Sequence, residues 1–371
     1  MLSEAVLVCL ALFGFQRGIA FKFADSDCTV TDFGQLSNAV AKCSQLSVKD
    51  LTVPAGKSLE INLLKGATLT FEGTIKFDYE EWDGPLVRIG GEDITVIGAP
   101  GHVLDGQGAL YWDGKGSDGI SKPKFFKIDA AYSATFSNIN ILNCPKHCTS
   151  LSNSRDVTVS GWNIDISAGD KTITGSKKEA KNTDGFDVTN VTNLVIKDSV
   201  VKNQDDCVAV NQGHAMYFTN LECTGGHGLS LSVGFSTTSV EDNTVTNVTF
   251  TDSKVIDSRN AIHIKTHRDA GDGAIKDITY KNIQFDGVLH YGINVEQNYY
   301  KGSGKGDPAS NIPITNLVID HVNGSLHSKE AMPVYILCGA TGCSDWHWSE
   351  VTISGGGEES SCNFEPTGYT C

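Results

Sequence analysis

Three aspartates in the middle of the chain have the types and spacing of an acid–base group. Residues 182–188 have the sequence Asn-Thr-Asp-Gly-Phe-Asp-Val, and residues 202–210 repeat the pattern as Lys-Asn-Gln-Asp-Asp-Cys-Val-Ala-Val, which aligns Asp184 with Asp206. Hydrolysis of a glycosidic bond with inversion needs a carboxylic acid for the leaving oxygen and a carboxylate for the attacking water, roughly 6.5–9.5 Å apart. We predict that Asp205 is the acid, with a pKa raised by its acidic neighbours, and that Asp184 and Asp206 are the base.

A histidine and a lysine are predicted to complete this group. His227 lies in a Gly-Gly-His-Gly run, whose glycines permit close approach of a ligand. A histidine in such a turn is usually exposed and idle, but its position one repeat beyond Asp206 favours a hydrogen bond to the acid. Lys265 is either a solvated lysine or a contact for an anionic substrate. With a formal net charge of −15, the protein would repel a polyanion unless cations line its groove.

The elements that position these residues are repeats marked by apolar pairs with one polar residue between them. The pairs are Phe186/Val188, Val208/Val210, Leu229/Leu231, Ile262/Ile264 and Ile293/Val295. Their register gives five polar residues one equivalent position, namely Asp184, Asp206, His227, Asn260 and Tyr291. This recurrence predicts an all-β protein, a right-handed parallel β-helix (a solenoid) whose neighbouring coils are about 4.8 Å apart.

Turns, one helix and two longer excursions complete the predicted solenoid. The polar residues that follow the strands are predicted to form its corners, because Asn and Asp tolerate the left-handed conformation. They are Asn138, Asp198, Asp252 and Asn282. Residues 33–43 have helical periodicity and are predicted to cap the open end of the core. The excursions at residues 167–181 and 299–311 flank the acidic group and are candidate walls of a cleft.

The N-terminal stretch predicts export of a single domain. Residues 5–15 are apolar, too short to span a bilayer and followed by small residues, so residues 1–20 are predicted to be a cleaved secretory signal peptide. A buried N-terminal helix is the alternative. We expect residues 21–371 to form one domain, because a solenoid core can grow without limit.

Cysteine usage agrees with an extracellular protein. Ten of the eleven cysteines follow residue 20, an even number suited to disulfides. Short separations suggest Cys28–Cys43, Cys207–Cys223, Cys338–Cys343 and Cys362–Cys371, which leaves Cys144 and Cys148 for each other, although sequence alone does not determine connectivity. No cysteine group has the spacing of a structural zinc site, so metal ligation is the weaker interpretation. Three sequons are compatible with glycosylation, at Asn190, Asn247 and Asn323.

Four blocks of the chain resemble the signature blocks of the polygalacturonases, the inverting β-helical pectin hydrolases. They are Asn182-Thr-Asp, Gln204-Asp-Asp, Gly226-His-Gly and Ile264-Lys265. The resemblance covers essentially the whole mature chain and is closest to the compact fungal-type endo-acting enzymes. It implies cleavage of α-1,4 links in de-esterified homogalacturonan, with Asp205 as acid, its flanking aspartates as base, and Lys265 and Tyr291 as substrate contacts.

The remaining site and partner predictions follow from this resemblance and the register. The substrate-binding candidates are Lys265, His263, Tyr291, Asn182 and Asn260. The expected partners are the polysaccharide and plant inhibitor proteins, with no nucleic acid, no membrane, no cofactor and no metal, and the protein is expected to be a secreted monomer.

Two departures from the family pattern leave alternatives open. The chain has His263-Ile-Lys265 where the family has Arg-Ile-Lys, and the stretch after Gly226-His-Gly is one residue shorter. An arginine grips a carboxylate bidentately at any working pH, whereas a histidine makes at most one pH-dependent charged contact. One alternative is therefore a pectin-binding relative with weakened or lost turnover. Others are a rhamnogalacturonan or xylogalacturonan hydrolase, which His227 and Lys265 disfavour, and a pectate lyase, which needs a calcium cluster and an arginine base.

Overall fold

Strands dominate the structure, a computed structural model that describes residues 28–371. The predicted signal peptide lies outside the described residues. The strands are β1 (Thr29–Val30), β2 (Gln45–Lys49), β3 (Thr52–Val53), β4 (Leu59–Asn62), β5 (Thr68–Glu72), β6 (Thr74–Phe77), β7 (Val87–Glu92), β8 (Thr95–Gly98), β9 (Val103–Asp105), β10 (Lys124–Ser137), β11 (Asn140–Leu142), β12 (Lys146–Ser160), β13 (Asn163–Asp165), β14 (Phe186–Lys202), β15 (Val208–Val210), β16 (Gly213–Thr224), β17 (Leu229–Val233), β18 (Thr244–Ile256), β19 (Asn260–His267), β20 (Ala274–Val288), β21 (Tyr291–Tyr300), β22 (Ser303–Gly304), β23 (Ile314–Leu326), β24 (Met332–Leu337), β25 (Cys343–Ser344), β26 (His347–Gly355) and β27 (Ser361–Cys362). Two short α-helices accompany them, α1 (Leu36–Lys42) and α2 (Lys171–Thr174).

Strands of successive coils pair in parallel, and among the described strands only β22 pairs antiparallel, with β21, so the predicted parallel β-helix is confirmed. The predicted register also holds: Phe186 pairs with Val208, Val208 with Leu229, Leu229 with Ile262, and Ile262 with Ile293. These pairs lie on strands β14, β15, β17, β19 and β21, which we call the cleft sheet. Since side chains alternate between the two faces of a strand, the apolar pairs point inward and the residues between them point outward.

Stacked aromatic rings fill part of the interior. The rings of Phe218 and Phe250 have centroids 4.5 Å apart, and those of Phe250 and Tyr280 have centroids 4.8 Å apart. All three side chains are fully buried. Equivalent positions of successive coils therefore stack directly, which is the property that carries residues distant in sequence into one site.

The corners contain the predicted left-handed residues. Asn138, Asp198, Asp252 and Asn282 have φ values of 56°, 53°, 50° and 53°. Their side chains also bond between coils, since Asn282 Nδ2 donates to Asp252 Oδ1 at 2.8 Å. These residues are thus structural, as predicted.

The N-terminal end of the solenoid is capped by helix α1, as the periodicity predicted. A turn of 3₁₀-helix, Phe33–Gln35, precedes it, and Asp32 Oδ1 accepts a hydrogen bond from Gly34 N at 2.8 Å. Leu36 and Ala39 of α1 are buried against the first coils.

All five predicted disulfides are present. They are Cys28–Cys43, Cys144–Cys148, Cys207–Cys223, Cys338–Cys343 and Cys362–Cys371. Each closes a short loop, so they reinforce single coils and the two ends. Over residues 28–371 no helix combines the length and apolar character needed to cross a bilayer.

Candidate active site

Asp205 and His227 form a directly bonded pair at the N-terminal edge of the cleft sheet. His227 Nδ1 lies 3.0 Å from Asp205 Oδ1, and Asn182 Nδ2 donates to Asp205 Oδ2 at 3.1 Å. Burial by itself raises the pKa of Asp205, but the charge and hydrogen bond of His227, with the charge of Lys265, hold that pKa well below its usual range. Burial lowers the pKa of His227, and the Asp205 carboxylate outweighs it, so the His227 pKa is raised.

Asp206 is held in a buried ion pair with Lys265. Lys265 Nζ donates to Asp206 Oδ2 at 2.9 Å, and Ser230 Oγ donates to Asp206 Oδ1 at 2.7 Å. Both members of the pair are buried, so Lys265 is not a solvated lysine. Burial lowers the pKa of Lys265, but the Asp206 carboxylate and other nearby groups raise it well above its ordinary value. The lysine therefore stays charged beside the carboxylates.

Asp184 is the carboxylate of this group that lacks a compensating cation in hydrogen-bonding contact. Its Oδ1 atom is buried and has no hydrogen-bond partner among residues 28–371. His147 Nδ1 lies 4.0 Å away and is bonded instead to Asp187 Oδ2 at 2.6 Å. Burial, followed by the charges of Asp205 and its acidic neighbours, raises the pKa of Asp184 well above its ordinary value.

The proton distribution thus differs from the one expected from the sequence. We expected acidic neighbours to raise the pKa of Asp205, and this is wrong, because His227 compensates the charge of Asp205. The same neighbours raise the pKa of Asp184 instead. One carboxyl group that favours its protonated form therefore lies beside two carboxyl groups that each have a cationic partner.

A buried asparagine fixes the backbone that carries the two adjacent aspartates. Asn203 Nδ2 donates to the carbonyl oxygens of Thr183 at 2.9 Å, Asp205 at 3.0 Å and Asp206 at 3.0 Å. A Cβ atom at Gly226 would lie 2.3 Å from the Asp205 carbonyl oxygen. Gly226 is therefore needed for neighbouring coils to approach closely. The sequence predicted close approach at this glycine run, but of a ligand.

His263 lies in the floor of the cleft sheet with both ring nitrogens engaged by protein groups. Its Nε2 is 2.9 Å from Glu296 Oε1, and its Nδ1 is 3.4 Å from Asn260 Nδ2. Burial and the charge of Lys265 lower the pKa of His263. In this arrangement His263 has no free ring nitrogen for the predicted contact with a substrate carboxylate.

The other predicted substrate-binding residues lie along the same face. Asn260 pairs with Tyr291 across neighbouring strands, and the half-buried Tyr291 ring stacks on Tyr335 at 5.3 Å. Asn182 reaches Asp205, and Lys265 reaches Asp206. The structure therefore brings the predicted residues to one surface, with His263 beneath it.

An open cleft of about 900 Å³ covers part of this surface. Of the predicted residues, Asn182, Asp184, Asp205, Asp206 and Lys265 line it, and His227, Asn260, His263 and Tyr291 do not. Its lining includes residues that sequence reasoning missed, among them Lys124, Lys127, His147, Asp187 and Phe235. Asp187 could have been found, because it alternates with two inward apolar residues. The others depend on contacts between distant coils.

Of the two excursions predicted to form walls of the cleft, the one that begins at residue 299 contributes to the lining and the one at residues 167–181 does not. Tyr299 lines the cleft and starts the antiparallel pairing of β21 with β22. Residues 167–181 contribute nothing to the lining of this cleft as the structure describes it. Instead, Asp170 Oδ1 accepts a hydrogen bond from Gln204 Nε2 at 2.6 Å, which supports the turn beside Asp205.

Two clusters within residues 28–371 have donor atoms close enough to share a metal ion. One contains His147, Asp184 and Asp187, the other Asp205, Asp206 and His227, each with ligand atoms within 4.8 Å. The carboxyl groups of Asp205 and Asp206 are therefore closer than the spacing of roughly 6.5–9.5 Å expected for an acid and a base in inversion. In the second cluster the Lys265 ammonium already occupies a position on Asp206. The arrangement of Asp205, Asp206 and His227 therefore suits proton transfer, and the positive charge beside Asp206 comes from Lys265.

Comparison with known proteins agrees with this geometry. The pattern of the glycosyl hydrolases family 28 matches residues 43–371. The chain is 51% identical over 351 residues to a polygalacturonase of Phaedon cochleariae (94% of each chain). It is 44% identical over 350 residues to endopolygalacturonase I of Aspergillus niger (93% of this chain, 91% of the relative). The solved structure of endopolygalacturonase I from Stereum purpureum, complexed with two galacturonate, has a TM-score of 0.79 and 34% identity and covers 90% of this chain and 96% of its own. This chain therefore belongs to family 28 of the glycosyl hydrolases.

Proposed function

We propose that the protein is a secreted endo-polygalacturonase that hydrolyses α-1,4-galacturonosyl links of homogalacturonan with inversion. The observation that carries the proposal is the bonded pair of Asp205 and His227 beside Asp184 and the Asp206–Lys265 ion pair, in a cleft on the scaffold of family 28. Relatives named polygalacturonase and endopolygalacturonase support the substrate and the endo mode.

The proposed reaction assigns one task to each group. A proton held in the 3.0 Å hydrogen bond between His227 and Asp205 passes through Asp205 to the glycosidic oxygen as the C1–O4 bond breaks, and the proton released by the attacking water later replaces it. Asp184 and Asp206 orient a water molecule together, and the pair takes its proton on the Asp206 carboxylate, since Asp184 favours its protonated form, as the water oxygen bonds to C1 from the opposite face. The α-linkage is therefore released as a β-configured reducing end.

Substrate binding is assigned to the residues beside the carboxylates. Lys265 supplies positive charge for a galacturonate carboxylate, and Asn182, Asn260 and Tyr291 supply hydrogen bonds and ring contact along the same face. We propose that His263 acts through Glu296 rather than on the sugar, because its ring nitrogens have protein partners.

Residues 1–20 are proposed to be the signal peptide and residues 21–371 one domain. Five disulfides support an oxidising, extracellular location, and the sequons at Asn190, Asn247 and Asn323 are all exposed. A monomer that binds pectin and plant inhibitor proteins is the proposed working form.

The test is the product released from polygalacturonate by purified protein. We expect reducing ends together with a rapid fall in viscosity, and β-configured new ends by NMR. Asp205→Asn is the control for a contaminating enzyme. Binding without new reducing ends would identify a pectin-binding protein, and an unsaturated product with absorbance in the ultraviolet would identify a lyase; either result would reject the proposal.

A further inference from the structure

An exposed phenyl ring lies in the cleft beyond the acidic group. Phe235 follows strand β17, lines the cleft and has 64% of its surface exposed. Gly234 before it has φ +115°, and a Cβ atom there would lie 2.9 Å from both Ala270 Cβ and Ile312 Cδ1. The chain therefore packs closely at Gly234, and the direction in which Phe235 leaves the sheet is fixed.

The loop that carries this ring is held by a buried side chain. Asn243 is fully buried; its Oδ1 accepts from Ser236 N at 2.9 Å and its Nδ2 donates to Ser236 O at 2.8 Å. Gly271 N donates to the same Ser236 carbonyl oxygen at 2.9 Å. Phe235 thus stands on an ordered loop, so using its exposed ring for binding requires little further ordering of the chain.

The ring continues a wall of aromatic side chains that reaches the catalytic carboxylates. Phe235 packs on His267 with ring centroids 4.4 Å apart, and His267 packs edge-on against Tyr299 at 5.2 Å. Lys265 Nζ lies 5.1 Å from the centre of the Tyr299 ring. Burial lowers the pKa of His267, so the middle of this wall favours its uncharged form.

We propose that Phe235 is a stacking platform for a galacturonosyl ring of the bound chain, at a binding position beyond the unit held at Lys265. This inference rests on the proposed function, because it names a further binding position for the same substrate. A pyranose ring offers C–H groups on its faces, which pack on an aromatic ring, while its hydroxyl groups stay in water at its edge. The contact makes Phe235 a determinant of the chain length that the cleft binds.

The test measures binding separately from hydrolysis. In an Asp205→Asn background, dissociation constants are measured for galacturonate oligomers of increasing length, with and without Phe235→Ala. We expect the two proteins to bind the dimer equally, and Phe235→Ala to bind about threefold to tenfold more weakly once the oligomer is long enough to reach the ring. Phe235→Trp restores the affinity. Val240→Ala is the matched control, since Val240 is exposed on the same loop and does not line the cleft.

Two results would overturn the platform: equal affinity of the Phe235→Ala protein at every oligomer length, or failure of Phe235→Trp to restore binding. In the active protein, we expect Phe235→Ala to raise KM for long oligomers and leave kcat nearly unchanged. If the native protein released no reducing ends, the proposed hydrolysis would fail, and the affinity comparison would still decide the role of Phe235.

Discussion

At the scale of single residues, the three aspartates differ in the groups that contact them. Asp205 is bonded to His227 and Asp206 to Lys265, whereas Asp184 is buried without a cation in hydrogen-bonding contact. Inverting hydrolysis needs a proton on one side of the bond and a base on the other. The pair of Asp205 and His227 can supply the proton because the histidine, whose pKa is raised, retains it.

Asp205→Asn should reduce hydrolysis of polygalacturonate by about 10²-fold or more, since a positioned acid contributes at least that much. The loss should be much smaller for a galacturonide whose leaving group departs without protonation, because that substrate does not need the acid. Asp184→Asn is the comparison. Asp184→Asn should lose the same factor of activity on polygalacturonate and on the activated galacturonide. If Asp184→Asn, and not Asp205→Asn, lost less activity on the activated galacturonide, Asp184 would be the acid.

Asp184→Asn should stabilise the fold at neutral pH. The folded-state pKa of Asp184 is raised, so between its unfolded and folded pKa values the folded protein binds more protons than the unfolded chain. The free energy of unfolding therefore falls as pH rises through that window, and the loss persists above it. Each unit of pKa difference corresponds to about 1.4 kcal/mol.

The measurement is thermal unfolding from about pH 3 to pH 8, where about 3.9 is the unfolded pKa of an aspartate. The gain in melting temperature of Asp184→Asn should grow with pH above that value and vanish below it. The exposed Asp118→Asn is the control. A pH-independent difference between native protein and Asp184→Asn would contradict the raised pKa.

At the scale of elements, the sequence predicted those features that repeat. The apolar pairs of β14, β15, β17, β19 and β21 fixed the register, because a slip of one residue would turn every inward side chain outward. The corner residues could be predicted equally well from the sequence, since few residue types tolerate a positive φ. The contact of Phe235 with His267 and that of His263 with Glu296 could not be predicted from the sequence. They depend on the direction of side chains in loops whose sequences do not repeat.

The helix α1 should contribute to stability without affecting the site. Leu36 is 5% exposed and packs on the first coils, so Leu36→Ala should lower the free energy of unfolding by about 2–5 kcal/mol. Ser37→Ala, on the exposed side of the same helix, is the matched control. Urea unfolding followed by circular dichroism gives the values, with kcat/KM measured well below the transition. A loss of activity in folded Leu36→Ala protein, or an unchanged urea midpoint, would contradict this independence.

At the scale of the whole molecule, the net charge of the protein and the individual lysines of its cleft have opposite effects on a polyuronate. The formal net charge is −15, and the cleft lining places Lys124, Lys127 and Lys265 among six aspartates. Approach of a long polyanion depends on the summed field of the protein, whereas the bound chain depends on contacts within a few ångströms. The net negative charge of the protein should therefore slow the association of polygalacturonate, whereas the cleft lysines stabilise the chain once it is bound.

This opposition predicts an unusual response to salt. The screening length falls from about 30 Å at 0.01 M to about 10 Å at 0.1 M ionic strength, which removes long-range repulsion before it weakens the contacts of the buried Lys265. We expect kcat/KM on polygalacturonate to rise about twofold to tenfold over this range, with kcat almost constant, because the gain is in association. A galacturonate trimer carries fewer charges and should show a smaller rise. A steady fall of kcat/KM with salt for both substrates would instead show that the lysines of the cleft control the encounter.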